Sequence, residues 1–273
     1  MRVAYLGPPG TFGEQAAIRY APDEERIPFP SHSQVAAAVQ AGMADAGLLA
    51  VENSLEGSVS ETVDILVHDA QLRICGELAL PIEQCLIVPP GRRAAQVRVI
   101  LSHTNALGQC RSYLEQHFPN ARLEPALSTT SAVEQAMARD DAAAIASVRA
   151  AELLGGEILA RGIQDRKNNV TRFVIVGQSD AAPTGDDKTS LAFTTYHDRP
   201  GSLVGVLQEF AARGLNLTKI ESRPLRDALG VYVFLCDFQG HRTDADVAAA
   251  LEAVREKTQT LQVIGSYPRY RLE

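Results

Sequence analysis

The chain has 273 residues, 45% of them hydrophobic, with 26 Lys/Arg against 33 Asp/Glu and a net charge of −7. That length suggests about two domains, and the apolar fraction supports a packed core and excludes a disordered chain. No basic cluster rises above the acidic background, so neither nucleic acid nor an anionic membrane is expected as a partner.

The first segment, 1–6, runs straight into a Gly/Pro loop and lacks the long apolar region of an export signal, so a cytoplasmic protein is expected. No apolar run approaches the roughly 20 residues that span a bilayer. Cys75, Cys85, Cys110 and Cys236 lack CxxC spacing and read as reduced thiols. No clustering of His, Cys and carboxylates calls for a metal.

In chain order, short apolar strands are predicted at 3–6, 46–51, 86–88, 97–101, 143–146 and 172–176. Helical patterns at 33–41, 106–117 and 131–139 lie between them. This alternation predicts α/β layers with a largely parallel sheet, arranged as two lobes flanking a cleft. The segment 178–188 breaks the pattern with Ser, Pro, Gly and three Asp residues and reads as a linker.

The tail reads differently. Leu191 and Phe193 share one face of a strand, and 198–201 is a turn. Leu203, Leu207, Phe210 and Ala211 share a helical face that Gly214 ends. Strands follow at 215–222 and 231–235. Thr243 is expected to cap a helix striped by Val247, Leu251 and Val254, and 261–267 is a last strand. The order βαββαβ is the ferredoxin-like pattern.

Polar motifs sit where these strands end. The loop Gly7-Pro8-Pro9-Gly10-Thr11-Phe12-Gly13 joins a strand to a helix; it fits an ordinary turn as well as an anion-binding helix start. Glu52-Asn53-Ser54-Leu55-Glu56-Gly57-Ser58 and Ser102-His103-Thr104-Asn105 each follow a strand directly, the position where α/β sheets bind ligands. Ser128-Thr129-Thr130-Ser131 precedes a helix, with Ser131 and Glu134 at capping-box spacing. Asn168-Asn169-Val170-Thr171-Arg172-Phe173 opens the strand before the linker. Each motif alone has a plain structural reading. Their shared placement points to one hydroxyl- and amide-lined pocket for a small anion.

At these residues the sequence resembles the prephenate dehydratases. The Gly7–Phe12 loop, Val51-Glu52-Asn53-Ser54 with Gly57, Ser102-His103 with Gln109-Cys110, and Thr171-Arg172-Phe173 occur in that family's order. The tail is similar to an ACT-type regulatory domain: Gly201-Ser202-Leu203 resembles its Gly-Ala-Leu motif, and Glu221-Ser222-Arg223-Pro224 its Glu-Ser-Arg-Pro motif. There are departures. Gly13 and Glu14 stand where relatives often carry Ser and His, Thr104 replaces a frequent Pro, and Ser202 replaces Ala, a change expected to alter effector affinity more than effector identity.

The resemblance implies a catalytic region at 1–178, two-lobed like type II periplasmic binding proteins, with lobes at about 1–76 plus 165–178 and at 77–164. It implies a ferredoxin-like ACT domain at 188–267. The implied activity is conversion of prephenate to phenylpyruvate by a monofunctional lyase needing no cofactor or metal, since aromatisation supplies the driving force. Thr171 is the implied donor to the leaving hydroxyl, with Arg172 and Phe173 beside it. Strand alternation puts Arg172 opposite Thr171 and Phe173, so Arg172 is expected to act from outside the pocket in an ion pair. Implied substrate contacts are Thr11, Glu52, Asn53, Ser54, Ser102, His103, Gln109, Thr130, Ser131 and Asn169. Gly201, Ser202, Leu203, Asn216, Leu217, Glu221, Ser222, Arg223 and Pro224 are implied to bind phenylalanine as feedback effector between protomers of a homodimer or homotetramer. Arogenate as the substrate, and a non-enzymatic small-anion receptor, are the competing readings.

Overall fold

The structure, a computed structural model, describes residues 1–68, 72–196, 199–225 and 232–271. It opens with β1 (Arg2–Leu6), α1 (Phe12–Tyr20), β2 (Glu25–Phe29), α2 (His32–Gln40), β3 (Ala46–Asn53), β4 (Gly57–Ser58), α3 (Ser60–His68) and β5 (Arg73–Pro81). There follow β6 (Cys85–Val88), β7 (Val99–Ser102), α4 (Thr104–Gln109), α5 (Arg111–His117), β8 (Arg122–Pro125), α6 (Thr129–Met137), β9 (Ala142–Ala146), α7 (Val148–Leu154), β10 (Glu157–Ala160) and β11 (Val170–Gly177). The tail comprises β12 (Asp187–Thr195), α8 (Ser202–Ala211), β13 (Leu217–Pro224), β14 (Tyr232–Gln239), α9 (Ala245–Lys257) and β15 (Thr258–Pro268), the expected βαββαβ order. No helix among the described residues is long and apolar enough to cross a membrane.

Three sheets result. Their strand orders are β2-β1-β3-β11-β5 with β4 on β3, then β10-β6-β9-β7-β8, then β13-β14-β12-β15. The second sheet is mixed rather than largely parallel: β7 runs parallel to β8 and β9, while β6 is antiparallel to β9 and β10. The sequence pattern misses β2, β8 and β10, short edge strands whose residues are mostly exposed or half-buried. It misses β5 because Gly76 and Glu77 interrupt the run. The single helix expected at 106–117 is two helices that meet at Cys110.

By packing, the chain divides into two compact units. The first is Met1–Val35, Leu48–Val59 and Ala79–Phe173; the second is Ala36–Gly47, Ser60–Leu78 and Val174–Glu273. In the first unit both faces of the second sheet are covered. Ile87, Val99 and Leu101 pack with Ala132, Val133 and Ala136 of α6 on one side. Leu86, Val88 and Ile100 pack with Ala106, Cys110 and Leu114 of α4 and α5 on the other. Successive strand residues thus both meet apolar layers, which is why β6 and β7 read as unbroken hydrophobic runs.

In the second unit, Leu191, Phe193, Cys236 and Phe238 pack under α8 and α9. The stripe Val247, Leu251 and Val254 is buried as its spacing predicts. On α8 the fully buried pair is Val206 and Phe210, while Ala211 is exposed, so the helix is rotated from the face first read. Thr243 does not cap α9: the cap position is Asp244, and Thr243 instead bonds His241 Nδ1 at 2.7 Å. Asp198 of the expected turn and Val231 of the expected strand lie outside the described residues.

The same unit holds a buried ion pair. Lys188 Nζ on β12 donates to Glu77 Oε1 and Oε2 on β5 at 2.8 and 2.9 Å, and the Tyr270 N–H donates to Oε1 at 3.1 Å. Lys188 is 8% and Glu77 9% exposed, so removing either partner strands a charge away from water. Lys188→Met is therefore expected to lower unfolding free energy by about 3–5 kcal/mol in urea titration, and Lys188→Met/Glu77→Leu to recover most of that loss.

Candidate active site

A cavity of about 470 Å³ is lined entirely by residues of the first unit. Local structure places each polar group. Thr11 is the N-cap of α1 and accepts the Glu14 N–H at 3.4 Å. Asn53 ends β3, and Glu56 sits on the turn between β3 and β4. His103 caps α4, its Nδ1 accepting the Asn105 N–H at 3.3 Å. Ser128 caps α6, and alternate residues Thr171 and Phe173 of β11 face the cavity together.

A chain of amides connects these groups. Asn53 Nδ2 donates to Asn169 Oδ1 at 2.8 Å and to Thr171 Oγ1 at 2.9 Å. Asn169 Nδ2 donates to Gln109 Oε1 at 3.0 Å, and Gln84 Nε2 reaches the same oxygen at 3.2 Å. Gln109 Nε2 donates to Glu56 Oε1 at 2.7 Å, and Asn105 Nδ2 to Glu56 Oε2 at 2.6 Å. Asn53 Oδ1 in turn accepts the N–H groups of Leu55 and Glu56 at 2.9 and 3.1 Å. Since a backbone N–H only donates, the Asn53 amide has one orientation, and Thr171 Oγ1 must be an acceptor of its Nδ2. The threonine proton is then available to point into the cavity.

Of the thirteen catalytic and substrate positions read from the sequence, the cavity wall contains Thr11, Asn53, His103, Gln109, Thr171 and Phe173. Asn169 stands behind it, 1% exposed, as the link between Asn53 and Gln109. Arg172 is off the wall, its Nη1 4.0 Å from Glu52 Oε2, the outward ion pair that alternation predicts. Ser54 is spent on the backbone, donating to Asn168 O at 2.8 Å and accepting the Val170 N–H at 3.0 Å. Ser102 is fully buried and donates to Ile145 O at 2.6 Å. Ser131 closes a capping box with Ser128, three residues earlier than the Ser131–Glu134 spacing suggested. Thr130 is buried beside Gly10. The helix start therefore offers Ser128 and Thr129 to the cavity. Glu56 and Asn105 lie within the polar motifs at 52–58 and 102–105, and Gln84 outside them; their roles have no local signal because their partners lie 25 to 53 residues away in the chain.

The loop after β1 is tied to α7. Gly10 N–H donates to Glu14 Oε2 at 2.6 Å, Arg149 Nε lies 3.3 Å from the same oxygen, and Ser147 Oγ donates to Gly10 O at 2.7 Å. Gly13 has a physical reason: a Cβ there would lie 2.4 Å from Leu6 O. Thr104 occupies the first position of α4, where the N–H needs no helical partner and Pro fits equally.

In the second unit, Gly201 is the N-cap of α8, and Ser202 and Leu203 begin that helix. Gly201 and Ser202 line a cavity of about 440 Å³ with Tyr196, Arg199 and Lys257, among others. Asn216 is exposed and Leu217 half-buried. Glu221 and Pro224 lie on β13 with Ser222, and Glu221 Oε2 is 3.3 Å from Lys219 Nζ. Arg223 donates to Ser60 Oγ at 2.9 Å and to Asp64 Oδ1 at 3.0 Å on α3, within the same unit.

Comparison with known proteins gives a consistent answer. Residues 3–181 match the model of the family described as prephenate dehydratase, and residues 190–256 match that of the ACT domain. A prephenate dehydratase of Mycobacterium tuberculosis is 41% identical over 280 residues, covering 98% of this chain and 87% of that one. A solved prephenate dehydratase of Arthrobacter aurescens in complex with L-Phe superposes with a TM-score of 0.91 at 38% identity, covering 98% of this chain and 90% of that one. A solved chain described as a novel type of quorum quenching acylase, GqqA, has a TM-score of 0.90 at 32% identity, covering 99% and 98%.

None of the four cysteines lines the cavity. Burial pushes the thiols of Cys75 and Cys85 up to about 11 and those of Cys110 and Cys236 up to about 12. At pH 8 only roughly one part in a thousand or less of each is thiolate, the reactive form. Ellman's reagent at pH 8 is expected to label the native protein slowly and four thiols rapidly after denaturation; one fast native thiol would contradict this burial.

Proposed function

The chain belongs to the prephenate dehydratase family, and we propose that its first-unit cavity converts prephenate to phenylpyruvate for phenylalanine synthesis. The observation that carries this reading is the Asn53–Thr171 hydrogen bond of 2.9 Å. In the reaction the electrons of the ring–carboxylate bond enter the ring as CO2 departs, and the ring C–O bond breaks. The leaving hydroxide takes up a proton from solvent to become water. A threonine hydroxyl is too weak an acid to protonate a ground-state alcohol. It stabilises developing hydroxide by hydrogen bonding, and a donor already fixed on its oxygen strengthens that bond. Phe173 presents an apolar face to the ring beside it. Gln109, Asn105 and the α6 start at Ser128–Thr129 supply neutral donors for the substrate's carboxylates and keto group, while Asn53 acts through Thr171. Arg172, paired with Glu52, supports the strand from outside.

Residues 1–178 are the catalytic region in this reading, with lobes at about 1–76 plus 165–178 and at 77–164, and 188–267 the ACT domain. Phenylalanine is the effector, held near Gly201, Ser202 and Leu203 with Asn216, Leu217 and the 221–224 motif, in a cytoplasmic homodimer or homotetramer. Support comes from the α8 start beside a 440 Å³ cavity and from the L-Phe complex of the Arthrobacter relative.

Purified protein incubated with prephenate, with arogenate in parallel, is expected to yield phenylpyruvate. Thr171→Ala and Asn53→Leu should each lower kcat by about 10²–10³-fold with the fold intact, and Thr171→Ser should retain more activity than Thr171→Ala. Near-normal turnover by a folded Thr171→Ala protein would overturn the assigned role. Millimolar phenylalanine is expected to bind and to reduce turnover, which calorimetry and the same assay check together.

A further inference from the structure

We infer that Glu56 is a built-in competitor for a substrate carboxylate: its own carboxylate occupies a subsite formed by the side-chain amides of Asn105 and Gln109. This rests on the proposed reaction and adds to it a residue that governs substrate affinity. Both oxygens of Glu56 are engaged by neutral amide donors on one helix, Asn105 Nδ2 at 2.6 Å and Gln109 Nε2 at 2.7 Å. Two donors four residues apart on α4, converging on one carboxylate, form a ready-made site for that group. Among the described residues lining the cavity there is no Lys or Arg. A dianion entering beside Glu56 would meet like charge with no Lys or Arg on the wall to offset it. Exchange removes the conflict: a substrate carboxylate takes the two amides and Glu56 turns outward.

The turn is built for that movement. Glu56 is itself exposed, and Gly57 follows it with φ +81° and nothing within 4 Å of the place a Cβ would occupy. The inner end is anchored, since Asn53 Oδ1 accepts the Leu55 and Glu56 N–H groups. The Glu56 side chain can therefore turn while its backbone stays fixed to the amide that holds Thr171.

A competitor in place for about nine-tenths of the time raises the apparent dissociation constant about tenfold. Glu56→Ala is therefore expected to lower KM for prephenate by about fivefold to tenfold, with the gain appearing in KM rather than kcat. Glu56→Gln, neutral but still able to accept one bond, should lower it by a smaller factor. Calorimetry with phenylpyruvate, a monocarboxylate, should show tighter binding by Glu56→Ala than by the unaltered protein. Unchanged or raised KM, together with unchanged or weaker phenylpyruvate binding, would overturn the inference while leaving the reaction standing. An unaltered protein that makes no phenylpyruvate would instead remove the reaction, and the calorimetric comparison would still decide the role of Glu56.

Discussion

The site depends on one locked amide. Asn53 Oδ1 accepts two backbone N–H groups, and this fixes which end of the side chain faces Asn169 and Thr171. The choice then propagates. Asn169 Oδ1 is an acceptor, so its Nδ2 must donate to Gln109 Oε1, and Gln109 Nε2 is left to donate to Glu56. A side-chain amide carries donors at one end and acceptors at the other, so no member can rotate without leaving another unsatisfied. With Asn169 almost fully buried, that cost holds strands β3 and β11 and helix α4 in one polar register.

This constraint also explains how much of the site could be read in advance. Residues placed by local geometry were legible: Asn53 at a strand end, Thr171 and Phe173 on one face of a strand with Arg172 on the other, Thr11 and His103 at helix starts. The βαββαβ tail was legible for the same reason, because Leu191/Phe193 and Val247/Leu251/Val254 repeat at the periods of strand and helix. What periodicity cannot carry is pairing over distance. Glu56 stands in a polar motif past a strand end, but its partners lie 49 and 53 positions away, which no local pattern reveals. Ser102 shows the converse: a serine after a strand looked like a ligand, yet the sheet takes its proton at Ile145 O. Ser131 misled through an equivalent local pattern, since Ser128–Ser131 closes the box that Ser131–Glu134 also permits.

The second unit spends its charges differently. The Lys188–Glu77 pair lies between strands that are 111 residues apart in the chain and is shielded from water. Replacing both partners with apolar groups of similar volume would cost little, whereas removing one alone strands a buried charge. Arg223, within the motif that resembles an effector site, commits its guanidinium to Ser60 and Asp64 on α3. An effector that used this arginine would have to compete with Asp64 for it.

The contrast with the cavity follows from the chemistry. A carboxylate that must leave as neutral CO2 carries its full charge only at the start of the step. A guanidinium clamped on that group would stabilise the ground state more than the transition state and slow the reaction. Amide and hydroxyl donors hold the substrate without that penalty, and the strand geometry keeps the nearest arginine, Arg172, on the far face with Glu52. The same choice leaves the cavity without a fixed cation to balance Glu56, so that carboxylate stays in place only through the neutral donors a substrate also needs. A site that holds carboxylates through neutral donors alone can thus be filled by a side chain of its own, and affinity is set by how readily that side chain gives way.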